Sequence, residues 1–319
     1  SGGNFNVVIG DEAGTELTTG DNNVAVGFEA LSTEDAHGNN VAVGYQALKT
    51  LNAGAEGYNV AVGALAGTAL TTGVNNVAIG YEALSTEDAH DNNVAIGYQS
   101  LKTQNAGTDA GNTAVGHLSG TSITTGNQNT MMGAFAGDAL TDADKNVAIG
   151  RSALTSDTLG SKSTAVGYSA LDAQNFTTAT DSHNTAVGHL AGLSVTTGVQ
   201  NTIIGGLAGD ALTSSFGNTA VGYSSLGADT QGKGSTAIGY KALEDQNTTS
   251  DSFVYNTAVG YSAGDHITTG IQNTLIGSLA GDALTDADMN VAIGYQALTA
   301  DTLGSKSVAI GKEALATQN

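Results

Sequence analysis

The chain has 319 residues with 45 glycines, no proline, cysteine or tryptophan, and aromatics at only 5%, so it lacks the large side chains of a thick globular core. Absent cysteine excludes a disulfide framework and thiolate metal sites. A formal net charge of −21 with 9 Lys+Arg disfavours nucleic acid and anionic membranes, and no stretch approaches the ~20 apolar residues of a membrane helix, so neither a nucleic-acid partner nor membrane insertion is expected.

From Asn6 onward the motif Asn-Val/Thr-Ala-Val/Ile-Gly recurs to the end of the chain. Its closing glycines run Gly10, Gly27, Gly44, Gly63, Gly80, Gly97, Gly116, Gly133, Gly150, Gly167, Gly188, Gly205, Gly222, Gly239, Gly260, Gly277, Gly294 and Gly311, which makes eighteen coils at steps of 17 to 21 residues. The residue before the glycine is large and apolar, and the residue three before it is Val or Thr. These two positions share a parity, so on a strand they share a face. The step is too short for helical hairpin repeats. The pattern predicts an all-β fold: a parallel β-solenoid with one short strand per coil, about 85 Å long at ~4.8 Å per coil. It covers residues 1–319 as a single repeat domain.

Four before the glycine stands Asn, as in Asn23, Asn40, Asn59, Asn76, Asn93 and Asn112, or Ser at Ser163, Ser235 and Ser307. This column predicts a ladder of amides hydrogen-bonded from coil to coil. The closing glycine marks a turn or a close backbone approach. Three after it comes Ala or Ser, and four after it Leu or Gly. Where Gly stands, Leu65, Phe135, Leu190, Leu207 or Leu279 two places earlier is expected to supply the lost apolar group.

Two before the glycine the chain holds Ala25, Ala42, Ala61, Ala78, Ala95, Ala114, Ala148, Ala165, Ala186, Ala220, Ala237, Ala258, Ala292 and Ala309, with Val8, Met131, Ile203 and Leu275 as exceptions. A small, apolar, nearly unvarying column on the face opposite the Val/Ile positions is read as an inter-chain packing surface, closed by cyclic symmetry.

The units "NNVAIGYQSL", "GNTAVGYSSL" and "KSVAIGKEALA" resemble the repeats of trimeric autotransporter adhesin heads (YadA-type), and still more the "GNTAVGYxAL" arrays of bacteriophage tail-fibre proteins. The resemblance covers nearly the whole chain. It implies a left-handed β-roll, a parallel homotrimer, and a role in adhesion and receptor binding. The location it implies is extracellular, on a cell surface or a virion.

Four long steps add residues at equivalent places: 53–58, 106–111, 176–183 and 248–255. They carry Tyr58, Phe176, Phe253 and Tyr255. These rings are candidate contacts for a cell-surface glycan or protein receptor; the competing reading is that they cap the core beneath each loop. The first and last residues, Ser1 and Asn319, fall at module boundaries, which suggests a segment of a longer fibre or a unit that stacks end to end.

No catalytic constellation, cofactor motif or metal motif emerges. The histidines are His37, His90, His117, His183, His189 and His266, none at His-x-x-x-His spacing. Asp142, Asp144, Asn146 and their copies Asp286, Asp288, Asn290 alternate like a calcium loop but lack its glycine and distal glutamate. The pairs Glu34–Asp35, Glu87–Asp88 and Glu244–Asp245 read as solvated turns. Thr-Thr-Gly recurs too sparsely for an ice-binding lattice. The sequence therefore reads as a structural and adhesive fibre protein without enzyme activity. A structural filament without a receptor and a polysaccharide-degrading tailspike stand as alternatives.

Overall fold

The computed structural model describes residues 3–107 and 110–317. Among them there is no helix, and the repeat forms a β-solenoid of eighteen coils. The residues group into two compact units: Ser1–Ser161 with Thr177–Ala179, and Lys162–Phe176 with Thr180–Asn319. In the first unit, nine three-residue strands run from Val7–Ile9 to Val147–Ile149; in the second, nine run from Thr164–Val166 to Val308–Ile310. Within each unit successive strands pair in parallel and in strict register, as Val24↔Val41, Ala25↔Ala42 and Val26↔Val43 in the first. In the second, Thr185 faces Thr202 and Ala186 faces Ile203.

The register stacks every column on itself, and the closing glycine shows why only one residue type fits there. Gly27 has φ 133°, and a Cβ on it would stand 2.4 Å from the carbonyl oxygen of Gly44 in the next coil. An L side chain fails on both counts.

The core is set by three columns, and here the structure corrects the sequence reading. The alanines two before the glycine, Ala25 through Ala309, point into their own coil and are at most 1% exposed within the single chain. They cannot be the inter-chain surface proposed from their uniformity. The outward face is the opposite one: Val24 and Val26, Val77 and Ile79, Thr219 and Val221 are half-buried on either side of a buried alanine.

The second core column lies four after the glycine. Leu31, Leu48, Leu84, Leu101, Leu154, Leu171, Leu226, Leu243 and Leu298 are all fully buried although each has a positive φ. A left-handed conformation costs a non-glycine residue about 1 kcal/mol, whereas burying a leucine contributes roughly 2, so burial wins. The third column lies seven after the glycine. Where the fourth position is Gly, the seventh is apolar, and beyond the first coil, whose Leu17 is half-buried, it is buried: Leu70, Ile123, Leu140, Val195, Leu212, Ile267 and Leu284. At these glycines the two columns adjoin, since a Cβ on Gly67 would meet Leu70 Cδ1 at 3.0 Å and one on Gly209 would meet Leu212 Cδ1 at 2.7 Å, although the coil of Gly44 buries a leucine in both, Leu48 and Leu51. The expected compensation by Leu65, Phe135, Leu190, Leu207 and Leu279 does not occur inside, because Leu65 and its equivalents are only half-buried.

The large exceptions in the alanine column obey the same volume rule. Met131, Ile203 and Leu275 each lie between two consecutive coils with Gly at the fourth position. A Cβ on Gly264 would meet Leu275 Cδ1 at 2.6 Å, and one on Gly281 would meet Leu275 Cδ2 at 2.7 Å. Leu275 thus fills the space two missing leucines leave, as close packing demands.

Candidate functional site: the outward sheet face and the insertion loops

The asparagine column is structural. In Asn76 the side-chain oxygen accepts the backbone N–H of Asn93 at 2.9 Å, while its Nδ2 donates to the His90 carbonyl at 2.9 Å. The ladder therefore runs mainly from amide to backbone, and the ladder residues from Asn23 to Asn290 are at most 1% exposed. Ser235 still donates its N–H to Asn218 Oδ1 at 2.8 Å but offers no amide to the coil beyond. Gln246 takes over there, its Oε1 accepting Asn256 Nδ2 at 2.9 Å. Gln104 serves Asn112 in the same way at 2.9 Å. These glutamines stand at the seventh position of the coils that carry insertions.

The seventh position of the preceding coil holds a buried acid. Glu87 Oε2 accepts Gln104 Nε2 at 2.9 Å, and Asp229 Oδ2 accepts Gln246 Nε2. Asp229 Oδ1 also accepts the N–H of Gly232 and of Thr248, each at 3.1 Å. Burial still pushes the Asp229 carboxyl above its ordinary value, and these hydrogen bonds only partly oppose that rise. A relay from carboxylate to glutamine to ladder asparagine so underlies the loops at 106–111 and 248–255.

The loop aromatics divide. Tyr58, Phe253 and Tyr255 are half or more exposed. Phe176 is only 6% exposed, so it is a capping residue and not a receptor contact. It occupies the inward-turning first position of its insertion, where Ala53 and Ala106 are likewise buried. Phe253 and Tyr255 stack with centroids 5.1 Å apart, and Lys233 Nζ lies 5.7 Å from the Phe253 centroid while pairing with Asp251. A Cβ on Gly234 would meet Tyr255 Cδ1 at 2.9 Å. Ring faces are thus engaged within the chain, and the exposed edges and the tyrosine hydroxyl remain for contacts.

Beside the outward sheet face runs a column of rings one after the glycine. Tyr81 stacks on Tyr98 at 5.5 Å and Tyr98 on His117 at 5.2 Å; in the second unit Tyr223, Tyr240 and Tyr261 stack at 5.7 and 5.1 Å. His117 and His189 are members of this stack. Together the Val/Ile column, the Val/Thr column and the rings form a half-exposed stripe along each unit, mostly apolar in the first and interrupted by the threonines from Thr164 to Thr274 in the second. The sequence missed this stripe because its parity was assigned inward.

The calcium-like triplets are committed elsewhere. Asp142 Oδ1 accepts Thr125 Oγ1 at 2.6 Å, Asp144 Oδ1 accepts the Asn127 N–H at 2.9 Å, and Asp288 Oδ1 accepts the Ile271 N–H at 2.8 Å. Thr18 and Thr71 of the Thr-Thr-Gly motifs donate their hydroxyls to Asp35 and Asp88 carbonyls at 2.8 and 2.6 Å. Residues 108 and 109 of one insertion, and the ends Ser1 and Asn319 invoked for stacking, lie outside the described residues. No family model and no curated protein matches the chain.

Proposed function

We propose that this chain is a structural and adhesive fibre protein, assembled as a parallel homotrimer through the outward sheet face and displaying its insertion loops to a cell-surface glycan or protein receptor. The observation that carries the reading is the stripe itself. Just before every closing glycine a Val, Ile or Met stands at least partly exposed and in register, flanked by Val in most coils of the first unit and by Thr in most of the second, where a solvated sheet face would vary and turn polar. A second copy carries the same stripe, and closed symmetry lets identical stripes cover one another. The resemblance to adhesin-head and tail-fibre repeats supports the trimer, the extracellular, cell-surface or virion setting and the absence of enzyme activity. Tyr58, Phe253 and Tyr255 are the receptor contacts in this reading. Shortening the four insertions to the 17-residue step abolishes attachment to the natural surface while the oligomer persists; undiminished attachment would reject the adhesive role and leave a purely structural filament.

A further inference from the structure

Two turns in the first unit bring one histidine and two carboxylates together. In Glu34–Asp35–His37 and in its copy 53 residues on, Glu87–Asp88–His90, the potential ligand atoms lie within 4.8 Å of one another. We propose that each turn binds one first-row divalent cation of the zinc type.

The repeat itself separates this arrangement from an ordinary turn. At the same place later coils carry Asp229 and Asp301, with Gly three residues on. There the short carboxylate alone closes the turn, accepting the N–H of Gly232 at 3.1 Å and of Gly304 at 2.7 Å. The turn therefore needs no glutamate and no imidazole. Both appear together, twice, and only in the modules three coils long.

A second observation concerns His37. Its Nδ1 atom is sealed from water and has no hydrogen-bond partner, and it faces Glu34 Oε1 at 3.4 Å. Two ligand atoms each ~2.0–2.1 Å from a tetrahedral zinc ion stand about 3.3 Å apart. Glu34 is fully buried; its Oε1 accepts the His37 N–H at 3.0 Å and its Oε2 the Ala53 N–H at 3.2 Å, which leaves lone pairs on both oxygens. In the copy His90 Nδ1 is hydrogen-bonded to Glu87 Oε1 at 2.7 Å and lies 3.9 Å from Asp88 Oδ1, so there a cation would take the place of the shared proton. The exposed aspartate supplies the third ligand from the solvent side, and water completes the shell. A cation also offsets the charge of a carboxylate taken fully out of water. One imidazole nitrogen with two carboxylate oxygens suits zinc and its neighbours better than calcium or magnesium, which take oxygen ligands.

The test is equilibrium dialysis of the whole protein against zinc chloride near neutral pH, with metal analysis. Two equivalents are expected per chain, falling to one in His37→Gln or His90→Gln and to none in the double variant. Asp35→Asn with Asp88→Asn, both at the surface, should weaken uptake at least tenfold and guards against a folding defect in the histidine variants. Cobalt(II) should add a visible absorption band that the double histidine variant lacks. No saturable uptake, or uptake unchanged in the double variants, would overturn the proposal and leave these turns as hydrogen-bonded Glu–His pairs on an acidic surface.

Discussion

The two units, each taken by itself, are filled on the same plan and differ in what they put around the interior. In both, the inner alanine, the fourth-position Leu or Gly and the seventh-position side chain fill a narrow tube by the same volume rule. The outward column is mostly valine in the first unit, from Val24 to Val94, and threonine in the second, from Thr164 to Thr274. Val and Thr have nearly the same shape, so the interior does not register the exchange. The carboxylates differ as well. In the first unit, Lys49 and Lys102 hold the Glu29 and Glu82 carboxyls below their ordinary value through ion pairs of 2.7 and 2.5 Å. In the second, burial raises those of Asp210, Asp229 and Asp265. The interior fixes the fold, and the columns that do not touch it are free to set surface chemistry.

The largest expected effect tests the shared interior. Met131→Ala in the first unit and Leu275→Ala in the second should each cost about 3 kcal/mol, because each side chain fills the room beside two glycines. Denaturant unfolding measures both; a cost under about 1 kcal/mol in either would break the volume rule. Next is the relay beneath the loops. Gln246→Leu should cost roughly 2–3 kcal/mol, since Asp229 and Asn256 both lose a buried partner. Gln104→Leu should cost less, because Gln246 Nε2 also donates to the buried Ser235 Oγ at 3.3 Å, a partner lost only there. Leucine is sterically acceptable there, as Leu51 occupies the equivalent position. Equal costs would remove the distinction between the two turns.

The smallest effect is one of pH, and its sign differs between the units. Asp229 binds its proton more tightly folded than unfolded, so between its ordinary and its raised value the folded state holds the extra proton. Stability therefore falls as pH rises through that window and levels off above it. Glu29 and Glu82 run the other way: their contribution is present above the ordinary carboxyl value and is lost as pH falls through the lowered one. Both are surface groups, so salt should shrink their effect. Hydrogen exchange resolved by unit should show the second unit losing protection as pH rises above the ordinary carboxyl value, with Asp229→Asn flattening the trend. An identical pH trend in both units would contradict the assignment.

Periodicity, strand direction, register, the closing glycines and the asparagine column were all legible in the sequence, because each follows from a period and a residue type. The parity of the strand was not. A uniform alanine column reads equally well as an interface or as the lining of a tube too narrow for anything larger. The deciding signal was present: Met131, Ile203 and Leu275 enlarge that column only where neighbouring coils carry Gly at the fourth position. Columns that exchange volume must share a space. Phe176 stood between the capping and the contact reading for a related reason, since a loop aromatic looks alike in sequence whether its insertion turns it outward or, like Ala53, inward.

The central claim is that the outward Val/Thr–Val/Ile face joins identical chains. Sedimentation equilibrium of the whole protein and of a variant carrying Ile79→Lys and Val221→Lys tests it most directly. The account predicts a mass three times that of the 31.6 kDa chain for the parent and a shift toward the single-chain mass for the variant, with the β spectrum retained. A parent that sediments as a 31.6 kDa monomer, or a trimer indifferent to both lysines, would contradict it.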